Sequence, residues 1–283
     1  MKYLSYARGE QEPTWGVLVD GVVHDLGPTG LALAPTLKAA IADGVVPVAD
    51  GAWAGAPTAS EDDITFLPVI GDPGKVICIG VNYVSHQNET GRTGQTVPTV
   101  FTRFADTQMG HLAPAVKPSV THYYDYEGEV ALVIGKDAYK VSEADAFDFV
   151  AGYGIYNDFT ARDWQRATTQ WIPGKNFPDS GAFGPYFVPA ADIDDLDSMK
   201  LETRVNGEVR QSATLADLYF SIPQLLAHVT AFTRLNAGDV VVTGTPGGVG
   251  FFMEPQGLLD EGDVVEVEVT NLGILRNTVV DEK

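Results

Sequence analysis

Short apolar runs separated by Gly, Pro, Asn and Asp dominate the chain, and this pattern predicts many strands and few helices. Near the N-terminus the runs TWGVLV and VVHDLG flank the dipeptide Asp20-Gly21, which predicts a tight hairpin. A helix is predicted over residues 37–43, with Gly44 at its C-terminal end, and the run ITFLPVI predicts a further strand.

The densest turn signal is Gly71-Asp72-Pro73-Gly74, directly before the apolar run KVICIG. We therefore predict a small β-rich N-terminal domain over residues 1–70 and a larger main domain over residues 71–283.

The larger domain again shows strand-like runs, and Asn206-Gly207 predicts a second hairpin. The runs are VALVIG (130–135), VVVTG (240–244) and VVEVEVT (264–270). One long helix is predicted over residues 222–235 with Ser221 as its N-cap, and shorter helices are predicted after Asn82 and Asp158. Strands and helices do not alternate regularly, so we predict a β-rich α+β fold and no doubly wound parallel sheet.

Composition narrows the possible partners. The 283 residues carry 38 acidic and 18 basic side chains, a formal charge of −20 that disfavours nucleic-acid phosphates and anionic membranes. No apolar run approaches the roughly 20 residues of a membrane-spanning helix, and no signal-peptide pattern opens the chain, so we expect a cytoplasmic protein. The single cysteine, Cys78, lies in an apolar run and is predicted to be a buried thiol.

Two glutamates at the start of a strand are the first candidate for chemistry. Glu127 and Glu129 lie at i and i+2, so their side chains share one face about 6.6 Å apart along the backbone. The unbroken apolar run that follows predicts burial on both faces, where two like charges need a compensating cation. Glu266 and Glu268 have the same spacing, but their strand alternates apolar and acidic residues, which is typical of a solvated face.

Asp158 ends the apolar run FVAGYGIYND and can be interpreted in two ways. It is either the N-cap of the following helix or a third carboxylate ligand. Three carboxylates form an all-oxygen site, which favours Mg²⁺ or Mn²⁺. Zinc is disfavoured because paired His or Cys ligands are lacking.

Two further groups of side chains are candidates for acid–base chemistry and anion binding. Glu89 follows His86 at i+3, so on a helix the carboxylate can orient the imidazole as a general base, although an incidental pair on an exposed turn has the same spacing. Arg162, Gln165 and Lys175 can bind an anion, unless they are simply solvated.

Thr245 lies in the Gly-rich segment GTPGG after a strand, where backbone N–H groups and a hydroxyl can meet an anionic ligand. An ordinary loop is an equal alternative. The segment lacks the P-loop pattern, so nucleotide binding is not predicted.

Five segments together resemble the fumarylacetoacetate hydrolase family. They are KVICIGVNYVSH (75–86), YEGEVALVIG (126–135), GYGIYNDFTARDWQ (152–165), GKNFPDSGAFGP (174–185) and VVTGTPGGVG (241–250). The resemblance implies a mixed β-sheet roll or sandwich, usually a homodimer, acting on a small 2-oxo or diketo acid with Mg²⁺ or Mn²⁺.

The resemblance also implies roles for nine side chains. The metal ligands are Glu127, Glu129 and Asp158, the catalytic dyad is His86 and Glu89, the anion-stabilising residues are Arg162, Gln165 and Lys175, and Thr245 contacts the acid group of the substrate. Val81, Arg103 and Asp106 depart from residues common in relatives. We expect these departures to alter substrate contacts and to leave the metal site untouched.

The leading functional prediction is a metal-dependent hydrolase that cleaves a carbon–carbon bond in a 2,4-diketo acid such as an acylpyruvate, in the catabolism of aromatic or related compounds. His86, oriented by Glu89, would activate water, and Lys175 with Arg162 or Gln165 would hold the oxyanion. The alternative is isomerisation or decarboxylation of a 2-hydroxymuconate-like or 2-oxo dicarboxylic acid, for example oxaloacetate, because these reactions pass through the same enolate. A non-catalytic module with a structural Ca²⁺ is a third possibility.

Overall fold

The computed structural model of the protein describes residues 1–283, which form nineteen strands, five α-helices and six 3₁₀ helices. The strands are β1 (Lys2–Ala7), β2 (Thr14–Val19), β3 (Val22–Asp25), β4 (Thr58–Ala59), β5 (Thr65–Phe66), β6 (Val76–Gly80), β7 (Thr99–Arg103), β8 (Gln108–Met109), β9 (Pro114–Lys117), β10 (Tyr124–Asp125), β11 (Gly128–Ile134), β12 (Val150–Asp158), β13 (Thr160–Ala161), β14 (Gly181–Pro189), β15 (Lys200–Val205), β16 (Glu208–Thr214), β17 (Val240–Val242), β18 (Val264–Val269) and β19 (Gly273–Asp281).

The α-helices are short except for the last. They are α1 (Leu37–Ala42), α2 (Val84–Thr90), α3 (Arg162–Arg166), α4 (Ile172–Lys175) and α5 (Ile222–Phe232). The 3₁₀ helices are Glu61–Asp63, Ala105–Thr107, Glu143–Phe149, Ala190–Asp192, Leu215–Asp217 and Gly250–Phe252. None of the helices has the length and apolar character that crossing a membrane would require.

Two sheets carry most of the strands. A twelve-stranded sheet has the order β4-β3-β2-β1-β14-β12-β11-β17-β6-β7, with β5 beside β1 and β8 beside β14. A five-stranded sheet has the order β16-β15-β18-β19-β9, and β10 pairs with β13 in a small ladder. Most pairs are antiparallel, whereas β17–β6, β14–β8 and β19–β9 are parallel. The predicted β-rich α+β class with mixed sheets is confirmed.

Strand β11 lies at the centre of the molecule because both of its faces are buried. Val130 and Leu132 point into a core of 34 residues shared with the five-stranded sheet. Ala131 and Val133 point into a second core of 22 residues, which includes Trp15 from the N-terminal part. The unbroken apolar run therefore fills two cores with alternate side chains, as predicted.

The N-terminal strands continue the large sheet. Tyr3 of β1 pairs with Phe187 of β14, so backbone hydrogen bonding joins the first 70 residues to the rest of the chain. The division into domains at residue 71 stays a prediction.

Most predicted elements are confirmed, and the exceptions have local causes. Asn206-Gly207 turns with positive φ at both residues, as predicted for a hairpin. Helix α5 ends at Phe232 and not at Leu235, because Leu235 forms a β-bridge with Ala138. The run ITFLPVI forms only the two-residue strand β5, since Pro68 cannot donate a ladder hydrogen bond.

Asp158 is not a helix N-cap, so that interpretation is wrong. It is the last residue of β12, where its backbone N–H donates to the carbonyl of Glu127 at 2.9 Å. Ala161 precedes α3 and makes no side-chain capping bond. The Asp158 carboxylate is thus free for the site described below.

Gly128 is required by packing. A Cβ atom there would lie 2.1 Å from Thr203 Oγ1 and 3.1 Å from Val267 Cγ1. Thr203 is fully buried and β-branched, so it has little freedom to move away. We expect Gly128→Ala to lower the free energy of unfolding by about 1–3 kcal/mol, measured by urea denaturation.

Gly71→Ala is the matched control, because a Cβ atom at Gly71 meets nothing within 4 Å. Equal stability of the two variants would contradict the packing argument.

Candidate metal centre and surrounding pocket

Three carboxylates converge where β11 begins and β12 ends. Glu127 directly precedes β11, Glu129 lies within it, and Asp158 ends the neighbouring antiparallel strand. All three are buried, and their ligand oxygens lie within 4.8 Å of one another. Oxygen ligands of an octahedral Mg²⁺ lie about 3–4 Å apart, so a small contraction brings the trio around one ion.

Two of the three carboxylates are neutralised by buried cations. Lys175 Nζ donates to Glu127 Oε2 at 2.7 Å and to Asp158 Oδ2 at 2.6 Å. Arg162 donates to the other oxygen of Glu127, and Arg103 donates to the other oxygen of Asp158. Each of these two acids thus has two cationic partners.

Glu129 has no cationic partner. Its only donor is the backbone N–H of Gly244. Burial, followed by the charges of Asp158 and Glu127, raises the pKa of Glu129 well above its ordinary range. Burial also opposes ionisation of Glu127, but Lys175 and Arg162 outweigh it and lower the pKa of Glu127 to about 2.

The donor set fits a hard divalent cation. Three carboxylates gather at one point, and one of them lacks a counter-charge in an environment where an uncompensated charge is costly. All the donors are oxygens, which suits Mg²⁺ or Mn²⁺ and does not suit a thiolate-seeking metal. The trio is therefore a group that can hold a metal ion.

Helix α2 brings His86 and Glu89 together. His86 Nδ1 and Glu89 Oε2 are 2.7 Å apart, and Glu89 Oε1 accepts from the backbone N–H of Gly248 at 2.9 Å. His86 is 4% exposed, so the alternative of an incidental pair on an exposed turn is wrong. When Nδ1 carries the proton and donates to Glu89, Nε2 presents a lone pair.

Helices α3 and α4 place the predicted anion-binding side chains. Arg162 Nε donates to Asp125 at 2.8 Å, and Arg162 Nη1 donates to Gln165 at 3.2 Å. Arg162 Nη2 is buried and has no partner. Gly174 lets α4 pack closely on α3, because a Cβ atom there would lie 2.3 Å from the backbone nitrogen of Gln165. That contact sets the position of Lys175.

Thr245 is buried beside the trio, but its hydroxyl is already engaged. Oγ1 donates to the carbonyl of Gly128 at 2.9 Å and accepts from Gln211 at 2.8 Å. Thr245 thus fixes the start of β11, and its contact with the acid group of a substrate stays a prediction.

One cavity of about 110 Å³ joins most of the predicted site. Seven predicted residues line it, namely His86, Glu127, Glu129, Arg162, Gln165, Lys175 and Thr245. Asp158 and Glu89 do not line it. Asp158 is hydrogen-bonded to Lys175, and Glu89 is hydrogen-bonded to His86, both of which do line the cavity. The structure therefore brings all the predicted site residues together, and the roles assigned to them stay predictions.

The prediction for Arg103 was wrong. Arg103 was expected to leave the metal site untouched, yet its buried guanidinium binds Asp158 directly. Val81 lines the cavity, whereas Asp106 lies in a separate surface groove.

Two supporting residues escaped the sequence analysis. Asp125 is fully buried and accepts from Arg162 and from the backbone N–H groups of Gly250 and Phe251. Gln211 bonds both Gly128 and Thr245. Asp125 continues the i, i+2 spacing of the two glutamates toward the N-terminus, a signal that could have been found, whereas nothing near Gln211 distinguishes it.

The fold and the carboxylate site together define the class of protein. It belongs to the fumarylacetoacetate hydrolase family, since residues 75–280 match the family described as fumarylacetoacetate (FAA) hydrolase C-terminal. The family is enzymatic.

Individual relatives are consistent with this assignment. The oxaloacetate tautomerase YisK of Bacillus subtilis is 42% identical over 208 residues, which cover 72% of this chain and 69% of that protein. The human mitochondrial oxaloacetate tautomerase FAHD2A is 38% identical over 226 residues, covering 79% and 72%. A fumarylacetoacetate hydrolase from Exiguobacterium antarcticum matches in structure with a TM-score of 0.88 and 33% identity over 100% of both chains.

The unpaired charge of Glu129 leads to a test of metal binding. Mg²⁺ or Mn²⁺ should raise the melting temperature of the wild-type protein, and Glu129→Gln should abolish that rise. Without metal, the variant should melt at or above the wild-type temperature, because the substitution removes a buried carboxylate that lacks a cationic partner.

Glu268→Gln is the matched control, since Glu268 has the same spacing from Glu266 but is 48% exposed and paired with Arg204. It should retain the full metal-induced shift. A normal shift in Glu129→Gln would rule out Glu129 as a ligand.

Proposed function

We propose that the protein is a divalent-metal-dependent tautomerase of oxaloacetate or a closely related 2-oxo dicarboxylic acid. The observation that carries the proposal is a single cavity lined by two carboxylates of the trio, Glu127 and Glu129, and by an imidazole that a carboxylate orients. The relatives named as oxaloacetate tautomerases support this alternative of the sequence analysis at least as well as they support its leading prediction of a hydrolase.

Glu127, Glu129 and Asp158 would hold the cation, with Mg²⁺ or Mn²⁺ as the expected ion. When bound, the cation would supply Lewis acidity at the 2-oxo group, which makes the neighbouring carbon-bound proton more acidic. Arg162 Nη2, the buried donor without a partner, is available to the first carboxylate of the substrate.

His86 would move the proton. Its Nε2 would take a proton from carbon 3 as the carbon 2–carbon 3 double bond forms and the electron pair of the 2-oxo group moves to its oxygen. That oxygen then takes a proton from solvent, and His86 returns its own proton to solvent. Glu89 holds Nδ1, so it fixes the ring orientation and stabilises the imidazolium.

Lys175 would act through its charge. Burial alone would lower the pKa of Lys175, but the carboxylates of Asp158 and Glu127 outweigh burial and raise it. The ammonium therefore stays protonated and stabilises negative charge that develops on the substrate oxygen.

The same dyad favours a second candidate, hydrolysis of an acylpyruvate, because His86 Nε2 could instead activate water. The two reactions share the enolate, so the residues around the trio are the same for both. A homodimer, a cytoplasmic location and the lack of nucleic-acid or membrane partners stay predictions.

Loss of the imidazole should remove most of the activity. We expect His86→Gln to slow exchange of the carbon 3 protons of oxaloacetate with D₂O by about 100-fold or more, measured by proton NMR with Mg²⁺ present. His228→Gln is the control, because His228 lies on α5 outside the cavity. Wild-type exchange in a folded His86→Gln protein would refute the assignment.

Product analysis separates the two candidate reactions. With acetylpyruvate, a tautomerase should release no acetate and pyruvate above the rate of a folded Glu127→Ala variant, whereas a hydrolase releases both acids in equal amounts. Release of both by the wild-type protein, faster than it tautomerises oxaloacetate, would replace the first candidate by the second.

A further inference from the structure

Two of the four basic side chains that line the cavity have no carboxylate partner. Arg162 and Lys175 are committed to buried acids, as described above. Arg92 and Arg166 line the same cavity and form no salt bridge with any carboxylate of the chain. The chain has 38 acidic residues against 18 basic ones, so two arginines at one cavity without a carboxylate partner are candidates for binding an anionic ligand.

The two arginines come from the helices that carry the proposed catalytic side chains. Arg92 directly follows Gly91, the left-handed C-cap of α2, and Arg166 is the last residue of α3. Both are exposed, whereas Glu127 and Glu129 are buried. The arginines therefore lie at the mouth of the cavity, and the carboxylates lie at its floor.

Both guanidinium groups lie against aromatic rings. Arg92 lies 5.1 Å from the ring centroid of Trp171, and Arg166 lies 5.1 Å from that of Phe251. Trp171 is itself fixed against Gly80, where a Cβ atom would lie 2.2 Å from the ring. Such a cation–π contact restrains the guanidinium and leaves its N–H donors free for an anion.

We propose that Arg92 and Arg166 bind the second carboxylate of a 2-oxo dicarboxylic acid, and so select such acids over monocarboxylic ones. This inference rests on the proposed function. With the first carboxylate and the 2-oxo group directed to the floor, the second carboxylate lies on the far side of carbon 3, toward the mouth. Planar guanidinium forks match a carboxylate. Of the other two cations, Lys175 is paired with buried acids, and the one free donor of Arg162 is assigned to the first carboxylate.

The test compares two substrates that differ at that carboxylate. Oxaloacetate carries it, and 2-oxobutanoate has a methyl group in its place. For carbon 3 proton exchange, Arg92→Gln and Arg166→Gln should each lose about tenfold in kcat/KM with oxaloacetate, mainly through KM, and the double variant should lose more. Exchange with 2-oxobutanoate should change less than about twofold.

Arg234→Gln is the matched control. Arg234 is also exposed, unpaired and stacked, 4.4 Å from the ring of Tyr139, but it lies outside the cavity. Equal losses for both substrates, or no loss for oxaloacetate, would overturn the proposal.

Binding provides a readout that does not depend on turnover. Calorimetric titration of the Mg²⁺-loaded protein with malate and with lactate compares stable 2-hydroxy acids with and without the second carboxylate. The wild-type protein should prefer malate by about tenfold or more, and the double variant should lose this preference. The proposal is overturned if the wild-type protein shows no preference or if the double variant keeps it.

The two proposals fail in different ways. If the wild-type protein binds malate through the arginines but does not exchange the protons of oxaloacetate, the proposed reaction is refuted and the second-carboxylate site stands. If the wild-type protein is active on oxaloacetate and the double variant keeps the preference for malate, the proposed reaction stands and the second-carboxylate site is refuted.

Discussion

The burial of four carboxylates at one end of β11 and β12 is the constraint on which the rest of the structure depends. Asp125, Glu127, Glu129 and Asp158 are all removed from water. Their ionised forms are tolerated only with nearby positive charge or donated hydrogen bonds. This requirement explains why Arg103, Arg162 and Lys175 are buried and why loops from distant parts of the chain direct backbone N–H groups to the same place.

The charge balance of this cluster links folding to function. Four carboxylates and three cations leave one excess negative charge. Glu129 is the acid of the trio without a cationic partner, and burial together with the neighbouring carboxylates raises its pKa. A divalent cation would turn the excess into one positive charge, which the first carboxylate of a 2-oxo acid can neutralise. The second carboxylate of a dicarboxylic acid then has no counter-charge at the floor, so charge for it must come from the mouth.

Much of the fold and part of the site could be predicted from local sequence patterns. The apolar run of β11, the turns at Asp20-Gly21 and Asn206-Gly207, and the i, i+3 pair of His86 and Glu89 depend on residues close in sequence, where periodicity and turn chemistry are informative. The two glutamates followed from that same local reasoning combined with the cost of buried charge, and oxygen donors favoured Mg²⁺ or Mn²⁺. The resemblance to the family added Asp158 as the third ligand.

Long-range pairing could not be predicted. The contact between Arg103 and Asp158 joins positions 55 residues apart, and the bond between Gln211 and Gly128 joins positions 83 apart. No periodicity connects such positions, because their meeting depends on how strands of different hairpins align. The two possible roles of Asp158 were for this reason undecided by local sequence, and the continuation of β12 against β14 decided between them.

Under the two proposals, different parts of the cavity serve the chemistry and the choice of substrate. Side chains at the floor are tied to one another by hydrogen bonds, so altering one disturbs several, and the enolate that they would stabilise is common to both proposed reactions. Arg92 and Arg166 have no such ties, since they contact aromatic rings and solvent at the ends of α2 and α3. Changes there leave the cluster intact. On this proposal, selectivity among 2-oxo acids would vary at the mouth, while the floor is maintained by the cost of burying charge.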